Sequence, residues 1–333
     1  MKIVSLFSGC GGLDLGFALA GHNIIYANDN NKWACLSHMK NFGHKKVICG
    51  DISKVDSFPE GDILVGGYPC QSFSIAGNLI MDDPRNTLYT HFSRCLETIK
   101  PKFFVAENVD NLTRNKYKPT FKAMINTYKK KGYRVVSKVI NAADYGVPQE
   151  RNRVIMVGVR KDIDFKYKFP RQITLKKKTV LRDAIWDLQN NPGQYYSGRY
   201  SPRFMSRNRV RDWDELSYTV VATADQNPIH PNAGKMVKVE RDKFKFSKPK
   251  EEVRTLSVRE CARIMTFPDS FVFEGSIKDQ YKQIGNAVPP LLAFNIAKKL
   301  PLSIENGKWI MSNVNFSYNE IIHFDMEQLR NRV

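Results

Sequence analysis

Cys70 is the residue with the most chemical reach in this chain. It follows Gly66-Gly67-Tyr68-Pro69 and precedes Gln71, Ser72 and Ser74. A thiolate is a strong nucleophile near neutral pH. Most single cysteines are small buried hydrophobes, but a Gly-Gly-x-Pro lead sets this one on a loop just past the apolar run Asp62–Val65. Glu107-Asn108-Val109 closes another apolar run, where a carboxylate can serve as a general acid or stand as a surface charge. Gln149-Glu150-Arg151-Asn152-Arg153 sets two arginines two positions apart, on one face if the segment is extended. Gln283 to Pro290 forms a glycine turn carrying the amide of Asn286 and leading into a helical pattern.

A second group sits at the N-terminus. Phe7-Ser8-Gly9-Cys10-Gly11-Gly12 follows the first strand-like run and opens a helix, with glycines that let backbone approach a ligand. Asp29 ends the second run, where a carboxylate can accept ribose hydroxyls. Asp51-Ile52 follows a third short run and can meet an adenine edge, or act as a turn or N-cap residue. This set suits a nucleoside cofactor. It leaves a nicotinamide dinucleotide and S-adenosylmethionine both open, although GxGG in place of GxGxxG tilts away from the dinucleotide.

These residues need strand ends to hold them. Ile3–Phe7, Asn23–Tyr26, Asp62–Val65 and Phe103–Ala106 predict buried parallel strands, alternating with helical stretches at 13–20 and 87–100. Tyr133–Ile140 and Arg153–Val159 predict two more strands, so the fold class is a doubly wound α/β sheet. After Val159 that rhythm stops until about Ser257, which predicts a second domain. The net charge is +19, from 52 Lys+Arg and 33 Asp+Glu. Residues 161–250 hold 20 Lys+Arg and 10 Asp+Glu, so 20 − 10 = +10 of it lies there. Such a basic segment suits a long polyanion. No two of the six cysteines form a CxxC pair, and no metal site is expected. With no secretory or membrane-spanning signal, a soluble, cytoplasmic protein is expected.

Taken in order, the runs Phe7–Gly12, Tyr68–Gln71, Glu107–Val109, Gln149–Arg153, Arg254–Arg263 and Gly285–Val288 resemble the DNA (cytosine-5)-methyltransferase family of bacterial restriction-modification type. The resemblance implies a Rossmann-like S-adenosylmethionine-dependent catalytic domain (1–165), a smaller basic, mostly β or irregular target-recognition domain (166–277), and a return segment (278–333). It implies that Cys70 adds to carbon 6 of a flipped-out cytosine, that Glu107 serves N3, and that Arg153 with Arg151 holds the base or phosphate. Cofactor contacts are implied at Phe7, Gly9, Gly11, Gly12, Asp29, Asp51, Ile52, Pro69, Asn286 and Val288. Duplex DNA is the implied partner of a monomer, with a cognate restriction endonuclease acting on the same site but not in stable complex. Tyr68, Asn30 and Met265-Thr266-Phe267 depart from the commonest family pattern.

Expected DNA contacts are Gln71 and Ser74 on the polar stretch 71–89, Gln226 on the loop 223–226, and Arg207, Arg209 and Arg211. On a strand those three arginines would share a face, where each could read guanine or simply meet phosphate. Their run is similar to that of members reading GGCC-like sites, but Asp225 stands where those members have a basic residue, so the recognised sequence stays open. A tRNA-methylating relative is the main alternative. The tail from Pro301 is expected to cap the fold.

Overall fold

Alternation along the central strands divides the protein into two packed layers. In β1 (Lys2–Leu6), β4 (Ile63–Gly66) and β5 (Phe103–Val109), Ile3, Ile63, Val65, Phe103 and Val105 face one core, while Val4, Leu6, Leu64, Phe104 and Ala106 face the other. Both faces are covered, so these strands are apolar almost throughout. Burial of each Val, Leu, Ile or Phe side chain among these stabilises the sheet by roughly 1.5–3 kcal/mol, which makes it a firm base for its loops. The computed structural model describes residues 1–43, 47–69, 88–173 and 177–330.

Adding β2 (Asn23–Asp29), β3 (Val47–Cys49), β6 (Tyr133–Asn141) and β7 (Asn152–Arg160) gives a seven-stranded sheet in the order β3-β2-β1-β4-β5-β7-β6. All neighbours pair in parallel except β7, which runs antiparallel to both β5 and β6. The strand order reverses at β1, where β4 lies on the other side from β2. Such a switch point opens a crevice at the carboxyl ends of the strands. Helix α1 (Gly12–Leu19) leaves β1 directly into this crevice, and α2 (Lys32–Phe42) leaves β2. Helices α3 (Leu88–Ile99) and α4 (Lys118–Lys130) cover the second face.

A satellite core of Phe204, Val210, Ile229, Ala233, Met236 and Val253 marks the small domain. Among the described residues its regular structure is one hairpin, β8 (Val237–Glu240) with β9 (Lys243–Lys245), beside short turns and isolated bridges. Both ends of the 166–277 segment belong to the main core instead: α5 (Leu181–Ile185) buries Leu181, Ala184 and Ile185, and α6 (Val258–Ile264) buries Val258, Cys261 and Ile264.

The strand expected through Arg207, Arg209 and Arg211 does not form. Residues Phe204–Ser206 make a 3-10 turn. Asn208 then folds back, its side chain bonding Val210 N at 3.2 Å and Val210 O at 2.8 Å, a local alternative to ladder pairing. The three arginines consequently part company. Arg207 is exposed. Arg209 lies over the Phe204 ring and donates to the carbonyls of Phe204 and Arg203. Arg211 lies over Tyr218 and pairs with Glu150 at 2.9 Å and Glu215 at 3.4 Å.

Helices α7 (Ile277–Asn286) and α8 (Pro290–Ala297) return the chain to the sheet, α8 packing along α1. The tail adds the hairpin β10 (Pro301–Glu305) and β11 (Lys308–Met311), then α9 (Tyr318–Ile322) and α10 (Met326–Arg330). Tyr318, Ile321, Ile322, Met326 and Leu329 are buried in the main core, and Tyr318 Oη donates to Arg263 O at 3.0 Å. The tail therefore completes the core. Among the described residues, no helix is long and apolar enough to cross a membrane.

Candidate active site

A cavity of about 620 Å³ opens at the carboxyl ends of β1, β2, β4 and β5. That volume lies within the usual range of small-molecule sites, about 300–1,000 Å³. One end is lined by Phe7, Gly9, Gly12, Asp29, Asp51 and Ile52, the other by Pro69, Glu107 and Arg153, with Asn286 and Val288 closing one wall. The two groups of residues thus share one continuous space.

The first end is built from turned backbone. Phe7, Gly9 and Gly11 all have positive φ, at 55°, 56° and 98°. For Phe7 this is a strained conformation, costing on the order of 1–3 kcal/mol, of the kind that gathers at functional sites. Gly12 permits the return segment to close on this loop, because a Cβ there would lie 2.4 Å from Val288 O. Asp29 stands at the tip of β2, its carboxylate accepting Gly9 N–H and Asn31 N–H at 2.8 Å each. Burial pushes the Asp29 carboxyl above the usual carboxylate range, against the pull of those two N–H donors. Asp51 caps the turn Ile52–Lys54 through Ser53 N–H at 2.9 Å, which holds its carboxyl below the usual range. It therefore carries out the capping role while facing the cavity.

At the second end, the antiparallel register sets Val109 opposite Arg153 and Glu107 opposite Ile155. Arg153 Nε then meets Glu107 Oε1 at 2.8 Å, both side chains being largely buried. A Cβ on Gly67 would lie 3.1 Å from Glu107 Oε2, so this carboxylate overhangs the backbone that leads to Pro69. Asn108 Nδ2 donates to Tyr68 O at 3.2 Å and pins the same stretch. Tyr68, one of the departures from the family pattern, is 2% exposed and its hydroxyl meets Tyr128 Oη at 3.1 Å in the second core. Cys70, Gln71 and Ser74 lie outside the described residues.

Arg151 and Arg153 do not share a role-bearing face. Arg151 precedes β7, is 1% exposed, and does not line the cavity. Its guanidinium donates to Val220 O at 3.0 Å, Gly285 O at 2.8 Å and Ala287 O at 2.9 Å. Burial, helped by the Arg153 charge and opposed by Glu107, pulls its pKa well below the ordinary guanidinium value. Arg151 thus ties the Gly-Asn-Ala-Val loop to the segment that leads into the small domain. The same contact requires Gly285, where a Cβ would fall 2.1 Å from the Val221 carbonyl carbon. Gly11 also stands behind the lining, against Phe42 and His38.

The family model of C-5 cytosine-specific DNA methylases matches residues 1–301. The chain belongs to that family. It is a DNA (cytosine-5)-methyltransferase. The methylase is 43% identical over 339 residues to the Type II methyltransferase M.FnuDI of Fusobacterium nucleatum, covering 94% of this chain and 98% of that one. It is 44% identical over 328 residues to the Type II methyltransferase M.MthTI of Methanothermobacter thermautotrophicus, covering 92% and 98%. Its fold is similar to the solved structures of the Entamoeba histolytica methyltransferase EhMeth, with TM-score 0.66 and 18% identity over 90% of this chain and 97% of that one, and of a Spodoptera frugiperda DNMT2 mutant, with TM-score 0.66 and 18% identity over 90% and 98%.

Several residues around the methylase's site make contacts that no single-sequence motif shows. Ser5, Asn28 and Lys282 line the cavity without belonging to any motif singled out above. Gln149 ties Val220 N–H to Ile264 O, a bond between segments more than 70 residues apart. Thr266, in the departing Met-Thr-Phe run, has φ 65°, and its hydroxyl accepts Leu291 N–H at 3.0 Å at the start of α8. That bond compensates for placing a β-branched residue where glycine is easier. Gln226 donates to Ser201 Oγ at 3.2 Å within the small domain.

Proposed function

We propose that this methylase transfers a methyl group from S-adenosylmethionine to carbon 5 of cytosine within a specific short duplex sequence, using Cys70 as nucleophile on a flipped-out base. The observation that carries the reading is the single cavity joining the glycine loop and Asp29 to Glu107 and Arg153. The residues present suit the cofactor. Phe7 and Ile52 offer apolar walls for adenine, Asp29 a carboxylate for ribose hydroxyls, and Gly9 backbone with nothing within 4 Å of where a Cβ would be. Gly11 and Gly12 give the loop its turn, while Asp51, Pro69, Asn286 and Val288 complete the enclosure. When bound, S-adenosylmethionine supplies an electrophilic methyl group.

Carbon 5 of cytosine is a weak nucleophile, and the protein's task is to make it a better one. The Cys70 thiolate adds to carbon 6, forming a carbon–sulfur bond and pushing an electron pair toward carbon 5. A proton held at N3 by Glu107 accepts the charge that would otherwise build on the ring. Arg153 keeps Glu107 in place through Nε, and with another N–H bonded to Asn152 O it retains donors for the base carbonyl or a phosphate. After carbon 5 is methylated, loss of its proton to a base re-forms the carbon 5–carbon 6 double bond and expels Cys70 as thiolate, and the N3 proton returns to Glu107. The base must leave the duplex to reach such a cavity. Arg151 acts from behind, as a positioning residue.

The small domain, within 166–277, serves as the recognition region, with Arg207 and Gln226 as reading residues and Gln71 and Ser74 contacting DNA near the extruded base. Arg209 and Arg211 brace that surface through the contacts described above. The Type II methyltransferase relatives support a role in a restriction-modification system, and the reading adds a cognate restriction endonuclease acting on the same site and a methylase that works as a monomer in the cytoplasm. Labelled methyl from S-adenosylmethionine is expected in duplex DNA as 5-methylcytosine, with bisulfite sequencing giving the site. Label in tRNA and none in duplex DNA would overturn the reading.

A further inference from the structure

Under the glycine loop lies a buried hydrogen-bonded chain that the roles above do not use. Ser5 Oγ on β1 donates to Asp14 Oδ1 at 2.6 Å, and His38 Nε2 on α2 meets Asp14 Oδ2 at 2.7 Å. Asp14 sits in the first turn of α1, and all three residues are fully buried. The chain therefore links the strand and the two helices from which the cofactor end of the cavity is made. Ser5 itself lines that cavity.

The link continues upward into the loop. His38 packs on Phe42 with ring centroids 4.4 Å apart, and together they form the seat of Gly11. A Cβ on Gly11 would lie 2.4 Å from Phe42 Cε2 and 3.0 Å from His38 Cδ2. The height of the His38 ring thus limits how deeply the loop Gly9–Gly12 can settle, and Gly9 N–H in turn holds the Asp29 carboxylate. With Nε2 on Asp14, His38 Nδ1 is buried without a hydrogen-bond partner among the described residues. An apolar side chain would fill this place without that penalty. What imidazole adds is a donor to a buried carboxylate, at the point where the loop rests.

We propose that Ser5, Asp14 and His38 form a positioning chain for the cofactor, which sets the glycine loop and Asp29 and so determines affinity for S-adenosylmethionine. This rests on the reading of the cavity given above. The chain acts on binding and leaves the chemical step alone, because none of its members reaches Glu107 or Arg153 by a hydrogen bond.

The test is calorimetric titration of S-adenosylmethionine into the full-length, DNA-free protein, with melting temperature and steady-state rates measured alongside. His38→Leu removes the donor, while His38→Gln keeps one near the position of Nε2. Ser5→Ala removes the other donor with little change in volume. His38→Leu and Ser5→Ala are each expected to raise the cofactor Kd about tenfold, the scale of one hydrogen bond to a buried carboxylate. His38→Gln is expected to stay within about threefold of the unaltered protein, and kcat at saturating cofactor to stay unchanged throughout. If His38→Leu does not fold, Ser5→Ala and His38→Gln decide. Unchanged Kd in folded Ser5→Ala, failure of Gln to support binding, or a loss confined to kcat overturns the proposal. If the unaltered protein does not bind S-adenosylmethionine, the reading of the cavity falls and this proposal falls with it.

Discussion

Glu107 and Arg153 show how much chemistry depends on one pair of side chains. Their 2.8 Å contact arises because β7 runs against β5, which brings an arginine from one motif onto a carboxylate from another. Glu107→Gln keeps the shape but removes the carboxyl group. It is expected to lower kcat by about 100-fold or more, the usual weight of a general acid, with cofactor Kd unchanged by calorimetry. Equal kcat in that variant would remove Glu107 from the mechanism. At this scale the sequence was informative where function is local. Pro69, Glu107 and Asp29 sit at strand ends that their own flanking residues predict. Arg151 was not legible in the same way, because the carbonyls it binds belong to residues about 70 and 135 positions further on. Spacing to Arg153 suggested a shared face, and burial decided otherwise.

The strands and helices of the catalytic layer follow from apolar runs and alternation, which is why the sheet could be anticipated as doubly wound, though not its strand order. The small domain resists that treatment. Its chain is held by side chain–backbone bonds such as those of Asn208, and such bonds leave no period in the sequence. The alternating arginines therefore suggest a strand that does not form, Val210 alone making an isolated bridge with Ile229. Ties between elements are equally hidden, and Arg151 makes one of them. Arg151→Leu leaves three buried carbonyls without their donor, a loss of about 3 kcal/mol. Thermal melting should show Tm lower by roughly 4 °C, with weaker cofactor binding because the 285–288 loop is released. A Tm within 1 °C or so of the unaltered protein would contradict that role.

Across the whole molecule, charge and buried histidines make separate predictions. With a net charge of +19, affinity for duplex DNA should fall linearly in log Kd against log salt, with a slope of about 0.9 for each phosphate neutralised. A flat dependence would deny a phosphate-binding surface. Burial, with the N-terminal ammonium nearby, depresses His22 to about 4, and burial, with the Arg254 charge, depresses His230 to about 3. Both are neutral in the fold, whereas the unfolded chain takes up protons near pH 6.5. The unfolded state then binds more protons below that pH. Their contribution is full above about pH 6.5 and is lost as pH falls toward 4 and 3. Melting temperatures between pH 7 and 4.5 should decline, and less steeply in His22→Gln and His230→Gln. An equal decline in both variants would assign the acid sensitivity elsewhere. The tail belongs to this scale too: an expected cap proved to be part of the main core, through Tyr318, Ile321 and Met326.

The central claim is covalent attack by Cys70 on cytosine carbon 6, followed by loss of the carbon 5 proton. A duplex carrying 5-fluorocytosine at the methylated position has no such proton to lose, so the attached enzyme cannot leave. Incubation with S-adenosylmethionine should give a denaturant-resistant protein–DNA adduct that maps to the Cys70 peptide and is absent in Cys70→Ala. No adduct with the fluorinated duplex, while the ordinary duplex is methylated normally, would contradict the account.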